Sequence, residues 1–242
     1  MVVAAMLEQV TGETGTPLFL VKGGTAIELR RPDRRRATRD LDLSLTEDIA
    51  DIRQALDQVL RQEWGDFSLD LKRSEERSVG GLRVVGATIA ISYRGKHWLP
   101  IELEISQLDG KVAEQPERVQ GFSLEHLELE GPKYVSCLPL AQQVAQKLHA
   151  CTEPTEANDR VRDVLDLLLV EDLIRQRLSQ TRDACEEVFS HRASHPWPPP
   201  IKARENWEAE FASIADEAGY HTDSLTVAAE RLRNLVEEIQ NS

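Results

Sequence analysis

The feature that most constrains this chain is a buried strand that runs directly into a double-glycine helix start and is followed by an acidic strand. Apolar LFLV at positions 18–21 leads into KGGT at 22–25, and TRDLD at 38–42 begins a stretch of alternating acidic and apolar residues. Residues two apart on a strand share a face, so we expect Asp40 and Asp42 to project together. The pattern predicts a strand, a helix and a second strand that carries two carboxylates.

Nucleotide chemistry uses this combination of elements. Backbone N–H groups at a helix start bind phosphate oxygens, and paired carboxylates hold the magnesium that bridges those phosphates. Two carboxylates this close repel each other unless a cation lies between them. An Asp-x-Asp pair alone is weak evidence, since it also occurs in calcium loops and by chance on surfaces. The upstream glycines favour the nucleotide site.

The composition is that of a folded, acidic protein. The 242 residues carry a formal net charge of −13, which disfavours non-specific nucleic-acid binding over the whole surface. No apolar run approaches the roughly 20 residues of a membrane span, and the apolar start lacks the basic flank of a signal peptide. Three widely spaced cysteines match neither a disulfide framework nor a zinc site, which indicates a reducing cytoplasm.

The periodicity predicts an α+β fold, with a small mixed-sheet core over residues 1–130 and a helical region over residues 131–242. Predicted strands cover 18–21, 40–45, 67–71, 82–93 and 98–106. A first helix is expected over 25–31, and a second after the N-cap candidate Thr46. Later helices are expected over 138–151, 160–178, 181–191, 203–218 and 223–240, with the proline run at 196–200 as a rigid connector.

Arginines crowd the segment between the glycines and the acidic pair. They are Arg30, Arg31, Arg34, Arg35, Arg36 and Arg39. A run of charge is usually a solvated loop. The position between two phosphate-handling elements favours instead an electropositive rim that attracts a triphosphate or an RNA backbone.

A third carboxylate is needed to complete a two-metal site, which clamps the attacking and leaving oxygens in phosphoryl transfer. The strand IELEIS at 101–106 offers Glu102 and Glu104 on one face. Both could simply face solvent. However, this strand can pair beside the strand of Asp40 and Asp42, which would bring one of them close to the metals. We favour Glu104, with Glu102 as the alternative.

Polar residues of the helical half are further candidates. Lys147 either snorkels along an amphipathic helix or reaches a triphosphate. Asp163 and Asp166 share a helical face and, taken alone, indicate a structural network. Arg160 and Arg162 could pair with these acids or with substrate. The six histidines show no metal-ligand spacing and are expected to be solvated or core residues.

Together these motifs resemble the AbiEii/AbiGii-type (MenT-like) nucleotidyltransferase toxins of the DNA polymerase β-like nucleotidyltransferase superfamily. The family pattern of a Lys-Gly-Gly-Thr-Ala helix start and an Arg-x-[Ser/Thr]-x-Asp-[Leu/Ile]-Asp strand is matched at 22–26 and 36–42. Supporting matches are the EIS segment at 104–106, the KLHA segment at 147–150 and the RDVLDL segment at 162–167. The resemblance spans most of the chain.

The resemblance implies roles for individual residues. Asp40, Asp42 and Glu104 would bind catalytic Mg²⁺ or Mn²⁺, although the family commonly has Asp at the third position. Lys147 and Asp163 would complete the catalytic site from the helical half. A wider set would bind the nucleotide: Lys22, Gly23, Gly24, Thr25, Arg39, Lys147, Arg162 and Asp166.

The implied function is that of a magnesium-dependent nucleotidyltransferase toxin of a bacterial toxin–antitoxin pair. It would transfer NMP from an NTP to an RNA acceptor, with the tRNA 3′ end as the first candidate, and so block translation. The resemblance also implies an antitoxin partner, and Thr38 as a phosphorylation site for neutralisation. Alternatives are transfer to a protein or small-molecule hydroxyl, and a non-catalytic nucleotide-sensing or partner-binding module. The sequence leaves the preferred NTP and the oligomeric state open.

Overall fold

A computed structural model of the chain describes residues 2–8, 10–12, 15–34, 38, 40–47, 52–61, 65–79, 82–107, 116–125, 128, 131–222 and 224–242. The chain divides into two compact units. The first, called the sheet unit, comprises Met1–Leu29 and Thr38–Leu138. The second, called the helical unit, comprises Arg30–Ala37 and Pro139–Ser242.

The sheet unit is built on one mixed sheet. Its described strands are β1 (Phe19–Val21), β2 (Asp40–Leu45), β3 (Phe67–Val79), β4 (Leu82–Tyr93), β5 (Lys96–Gln107), β6 (Glu117–Gln120) and β7 (Tyr134–Cys137), in the order β3-β4-β5-β2-β1-β7-β6. β2 runs parallel to β5 and β1 runs parallel to β7, whereas the other described neighbours are antiparallel. Helices α1 (Val2–Leu7), α2 (Gly23–Arg30) and α3 (Ile52–Leu60) alternate with the first strands.

One face of this sheet carries the hydrophobic core. Leu41 and Leu43 of β2 are buried there with Leu103 of β5. The α3 residues Ile52 and Leu56, spaced by one helical turn, pack into the same cluster. Because strand residues alternate between faces, the acidic residues of β2 and β5 lie on the opposite face.

The helical unit contains α4 (Leu140–Thr152), α5 (Val161–Leu169), α6 (Glu171–Arg175), α7 (Leu178–Arg192), α8 (Glu208–Glu217) and α9 (Leu225–Gln240). α4 packs against α5 and α7, and α5 packs against α8 and α9. Ser224 caps α9, because its hydroxyl accepts a hydrogen bond from the Val227 N–H. Over the described part of the chain, no helix is long and apolar enough to cross a membrane.

The fold confirms the predicted α+β class, but the sheet is larger than expected. β6 and β7 were not predicted. Because β7 pairs with β1, the sheet unit extends to Leu138 and does not stop at residue 130.

Two helix boundaries also differ from the prediction. α2 begins at Gly23, two residues earlier than expected, so the glycines form its first turn. The helix expected over 160–178 is interrupted at Val170, where the backbone takes φ −108° and ψ 12°. The Thr46 hydroxyl donates to the carbonyls of Pro17 and Leu18, and the described part of α3 begins at Ile52, so the N-cap predicted at Thr46 depends on residues outside those that the structure describes.

Candidate active site

Four carboxylates form two facing pairs on the polar face of the sheet. In the parallel register of β2 and β5, Asp40 lies opposite Glu102 and Asp42 lies opposite Glu104. Adjacent strands are about 4.8 Å apart. The four side chains line a cavity of about 220 Å³, called here the acid cleft. The two acidic strands therefore pair as the sequence indicated, and both candidates for the third acid lie in the same cleft.

Two of these carboxylates are held by neighbouring side chains. Arg77 Nη2 lies 2.5 Å from Glu104 Oε2. The Thr88 hydroxyl donates to Glu102 at 2.9 Å. Arg77 comes from β3 and Thr88 from β4, so the outer strands of the sheet supply the remaining wall of the cleft.

A β-bulge determines which residues of β3 face the acid cleft. Up to Leu71, the odd-numbered residues of β3 lie on the core face. The register then shifts so that Arg73 pairs with Thr88, and Lys72 becomes the extra residue. A bulge sends the side chains that follow it to the other face. Arg73 and Arg77 therefore line the cleft, a position that strand alternation read from Leu71 onward would not assign to them.

Gly23 lies directly against the acidic strand. Its φ of +61° falls in the left-handed region that favours glycine, and a Cβ built on it would overlap the Asp42 carboxylate. The Lys22 N–H donates to the Asp42 carbonyl at 2.9 Å. The Thr25 hydroxyl lies 3.5 Å from the Asp40 carbonyl oxygen. The start of α2 and the carboxylates of β2 thus form one continuous site within the sheet unit.

The residues around this helix start place positive potential beside the carboxylates. The Lys22 ammonium donates to the Ser106 hydroxyl at 2.7 Å, two residues beyond Glu104 on β5. Gly24 and Thr25 are buried in the first turn of α2. Together, Lys22 and the positive end of the helix dipole favour an anion at this point.

The donor set of the acid cleft suits a hard divalent cation. Carboxylate oxygens are the ligands that Mg²⁺ and Mn²⁺ prefer. Asp42 and Glu104 face each other across one strand spacing, and repulsion between such groups falls when a cation lies between them. Asp40 and Glu102 form an equivalent pair on the same face. The cleft therefore has the chemistry of a site for a metal-bound polyphosphate.

Of the arginines predicted to form an electropositive rim, the structure describes three, and each donates hydrogen bonds within the helical unit. Their acceptors are Gln143 for Arg30, the Leu169 carbonyl and Asp172 for Arg31, and the Gly219 carbonyl for Arg34. Hydrogen bonding to Asp33, aided by the charge of Asp172, raises the pKa of Arg31 above its ordinary value despite partial burial. Arg35, Arg36 and Arg39 lie outside the described residues.

Lys147 of α4 lies between two carboxylates of α5. Its Nζ is 2.5 Å from Asp163 Oδ1 and 2.8 Å from Asp166 Oδ2. Burial acts to lower the pKa of Lys147, but the charges of Asp163 and Asp166 outweigh it and hold that pKa above its ordinary value. Asp163 and Asp166 thus form a network whose cation is Lys147. Arg162, offered from the sequence as their partner, pairs with Glu210 at 3.6 Å.

A histidine cluster in the helical unit was not predicted from the sequence, because His195 is more than 40 residues away from His149 and Glu153. Among the described residues, one set of three ligand-type side chains has donor atoms within 4.8 Å of one another: His149, Glu153 and His195. The Ser194 hydroxyl lies 3.0 Å from a ring nitrogen of each histidine, and the Arg192 guanidinium lies 3.3 Å from His149 Nδ1. This positive charge and these hydrogen bonds favour a structural polar cluster over a cation site.

Comparisons with known proteins place the chain in a family. A family model for the AbiEii nucleotidyl transferase toxin of type IV toxin–antitoxin systems matches residues 6–238. A comparison with curated proteins gave no match. The fold is similar to that of MenT4, a nucleotidyltransferase toxin from Mycobacterium tuberculosis H37Rv, with 15% identity and a TM-score of 0.59 over 99% of this chain and 81% of that one.

A second solved structure, an antigenic nucleotidyltransferase-like protein from Paracoccidioides brasiliensis, is 17% identical with a TM-score of 0.40, over 72% of this chain and 80% of that one. At 15% identity, the similarity to MenT4 shows the fold alone. The family model covers almost the whole sequence, and the matched range includes both the helix start and the acidic strand. The chain therefore belongs to the AbiEii family of nucleotidyltransferase toxins from type IV toxin–antitoxin systems.

Proposed function

We propose that this nucleotidyltransferase moves an NMP from an NTP to an RNA acceptor, with the tRNA 3′ end as the first candidate. Asp40, Asp42 and Glu104 would bind Mg²⁺ or Mn²⁺, with Glu102 as the alternative third ligand. The observation that carries the proposal is the register of β2 and β5, which faces Asp42 with Glu104 directly beside the first residue of α2.

The residues of the sheet unit would bind and orient the nucleotide. The N–H groups of Gly23, Gly24 and Thr25 and the Lys22 ammonium would contact its phosphates, and Arg39 would add a further cation. The bound metal would neutralise charge between the triphosphate and the carboxylates. The acceptor hydroxyl oxygen then forms a bond to the α-phosphorus and the α–β bridging bond breaks. Pyrophosphate leaves, and the hydroxyl proton passes to solvent by way of the cleft carboxylates.

The helical unit would supply the second set of charged groups. In this proposal Lys147 offsets the charge that develops on the leaving pyrophosphate. Asp163 and Asp166 hold the Lys147 ammonium at a fixed position, since both accept hydrogen bonds from it. Arg162 could contact substrate, because its side chain is 56% exposed and its ion pair with Glu210, at 3.6 Å, lies at the surface.

The acceptor must be tested directly, because the cleft determines how a nucleotide is activated and not where it goes. Purified protein is incubated with each labelled NTP, Mg²⁺ and total tRNA. We expect label on tRNA that is lost in Asp40→Ala. Label on protein or on a small molecule would support the alternative acceptors, and nucleotide binding without transfer would support a sensing module.

Membership of a toxin–antitoxin family implies an antitoxin partner, and we propose Thr38 as the point where it acts. The Thr38 hydroxyl donates to the Asp40 carbonyl at 3.1 Å. A phosphate there would remove this donor and bring about two negative charges next to the acid cleft, which opposes triphosphate binding. Mass spectrometry after co-expression with the neighbouring gene tests the idea, and unmodified Thr38 in neutralised protein would contradict it.

A further inference from the structure

Arg77 reaches Glu104 across an intervening strand. On the β4 strand between them, Val84 pairs with Arg77 and Gly86 pairs with Glu104. Two strand spacings amount to about 10 Å, a distance that only a long, extended side chain can cover. Because Gly86 has no side chain, the path over β4 is open. The guanidinium therefore lies over the floor of the acid cleft, because the bulge at Lys72 places the Arg77 side chain on the polar face of the sheet.

The Arg77–Glu104 ion pair is exposed to solvent, so a competing cation can break it at little cost in stability. The Arg77 side chain is 52% exposed and that of Glu104 is 43% exposed. Ion pairs at this degree of exposure contribute little to stability, because solvent screens them. A divalent cation has twice the charge and binds carboxylate oxygens directly. A metal ion held by Asp42 would therefore displace Arg77 from Glu104.

We propose that Arg77 is a phosphate-binding residue that exchanges partners, pairing with Glu104 until a divalent cation takes that carboxylate and then binding a phosphate of the nucleotide. The guanidinium presents a planar fork of N–H donors that matches phosphate oxygens. Release from Glu104 leaves the Arg77 guanidinium at the cleft, at the point where the proposed function brings the triphosphate. The inference rests on the proposed metal and nucleotide site.

Arg73 provides a matched control. It lies four residues earlier on β3 and lines the same cleft, but it pairs with Glu75 at 2.6 Å and is 71% exposed. Arg73→Gln removes the same charge from the same strand and frees Glu75, which also lines the cleft, but none of the four carboxylates of β2 and β5. A general loss of positive potential would affect both variants equally, whereas partner exchange affects Arg77→Gln alone.

The first test measures Mn²⁺ binding by isothermal titration calorimetry, without nucleotide. In Arg77→Gln the Glu104 carboxylate no longer has a competing cation, so we expect Mn²⁺ to bind roughly tenfold more tightly. Arg73→Gln should change the affinity by less than about threefold. When Glu104 is already replaced by Gln, adding Arg77→Gln should not increase Mn²⁺ affinity, because the exchange acts through the Glu104 carboxylate.

The second test measures inorganic tripolyphosphate binding in saturating Mn²⁺, a probe with no base to contribute affinity. We expect Arg77→Gln to weaken binding roughly tenfold and Arg77→Lys to restore part of it. Arg73→Gln should remain near wild type. Circular dichroism and thermal melting of each variant exclude misfolding, and Arg77→Lys keeps the test valid if the Gln variant fails to fold.

The inference is overturned if Arg77→Gln leaves Mn²⁺ affinity unchanged or weakens it. It is also overturned if tripolyphosphate binds Arg77→Gln as tightly as it binds the wild type. It also fails, together with the proposed metal site, if wild type binds no Mn²⁺. Neither titration requires turnover. A protein that shows both shifts but transfers no nucleotide to RNA would contradict the proposed function and support the role of Arg77.

Discussion

A Cβ atom on Gly23 would overlap the Oδ2 atom of Asp42. The glycine is required at this position for two reasons, its φ of +61° and the close approach of the carboxylate. The contact holds the first turn of α2 against β2, so the N–H groups proposed to bind phosphate and the carboxylate proposed to bind the metal stay at a fixed separation. Two motifs that are 19 residues apart in sequence thereby act as one site.

Gly23→Ala should therefore damage the site more than the fold. The positive φ costs about 1–2 kcal/mol for a residue with a Cβ, and the Asp42 carboxylate must also move. Gly95→Ala is the control, because Gly95 has φ +72° and, among the described residues, no atom lies within 4 Å of a Cβ built there. We expect similar losses in urea-unfolding free energy, but Mn²⁺ affinity and transfer should fall only in Gly23→Ala. Equal transfer by the two variants would contradict this account.

Asp40→Asn should abolish transfer and leave the metal-free protein slightly more stable. Four carboxylates on one sheet face repel one another, and removing one like charge from facing strands gains up to about 1 kcal/mol. The gain should disappear in saturating Mn²⁺, which compensates the same charges. Thermal melting with and without Mn²⁺ measures both effects. An unchanged or lower melting temperature without metal would argue against repulsion in the cleft.

Lys147 requires a double variant to separate its structural and functional roles. Lys147→Met removes the ammonium that pairs with Asp166, whose side chain is only 1% exposed. Breaking such a pair costs about 3–5 kcal/mol. Adding Asp166→Leu removes the more deeply buried of the two carboxylates that Lys147 binds, so part of the stability should return in urea unfolding. Nucleotidyl transfer by the double variant should stay low if Lys147 acts on the substrate. If transfer recovers together with stability, the role of Lys147 is structural alone.

The histidine cluster should make the protein less stable in mild acid. Burial lowers the pKa of His195 below its ordinary value of 6.5, and the nearby Glu153 only partly opposes this. The unfolded chain then binds the proton more readily than the folded one, so stability is complete above about pH 6.5 and falls as the pH drops below it. His195→Gln should flatten the pH dependence of the unfolding free energy between pH 7 and 5. A pH dependence in His195→Gln as steep as that of the wild type would contradict this account.

The acid cleft was largely predictable from the sequence, because strand alternation is local. Asp40 and Asp42 share a face by their spacing, as do Glu102 and Glu104, and the two strands pair in the register that unites them. Arg77 was not predictable, since its direction depends on a single extra residue at Lys72. A bulge has no strong local signature beyond the end of the apolar alternation at Leu71.

The predictions for the helical unit failed where distant contacts decide the outcome. For Arg31 the sequence favoured an electropositive rim over a solvated loop but gave no sign of its partners, the Leu169 carbonyl and Asp172, which are more than 130 residues away in sequence. The expected long helix is broken at Val170, although Leu167, Leu168 and Leu169 before it and Leu173 and Ile174 after it continue the apolar pattern. Charge runs and apolar periodicity indicate which residues are exposed or helical on average, but tertiary packing decides which side chains pair.

The most direct test of the central claim compares two positions of the label in the same NTP. With Mg²⁺ and tRNA, an α-³²P-labelled NTP should place label on the RNA, and a γ-³²P-labelled NTP should release it as pyrophosphate. Both signals should disappear in Asp42→Asn and persist in Gly95→Ala. Transfer of the γ label, or transfer that survives Asp42→Asn, would contradict the assignment of the acid cleft as the site of nucleotidyl transfer.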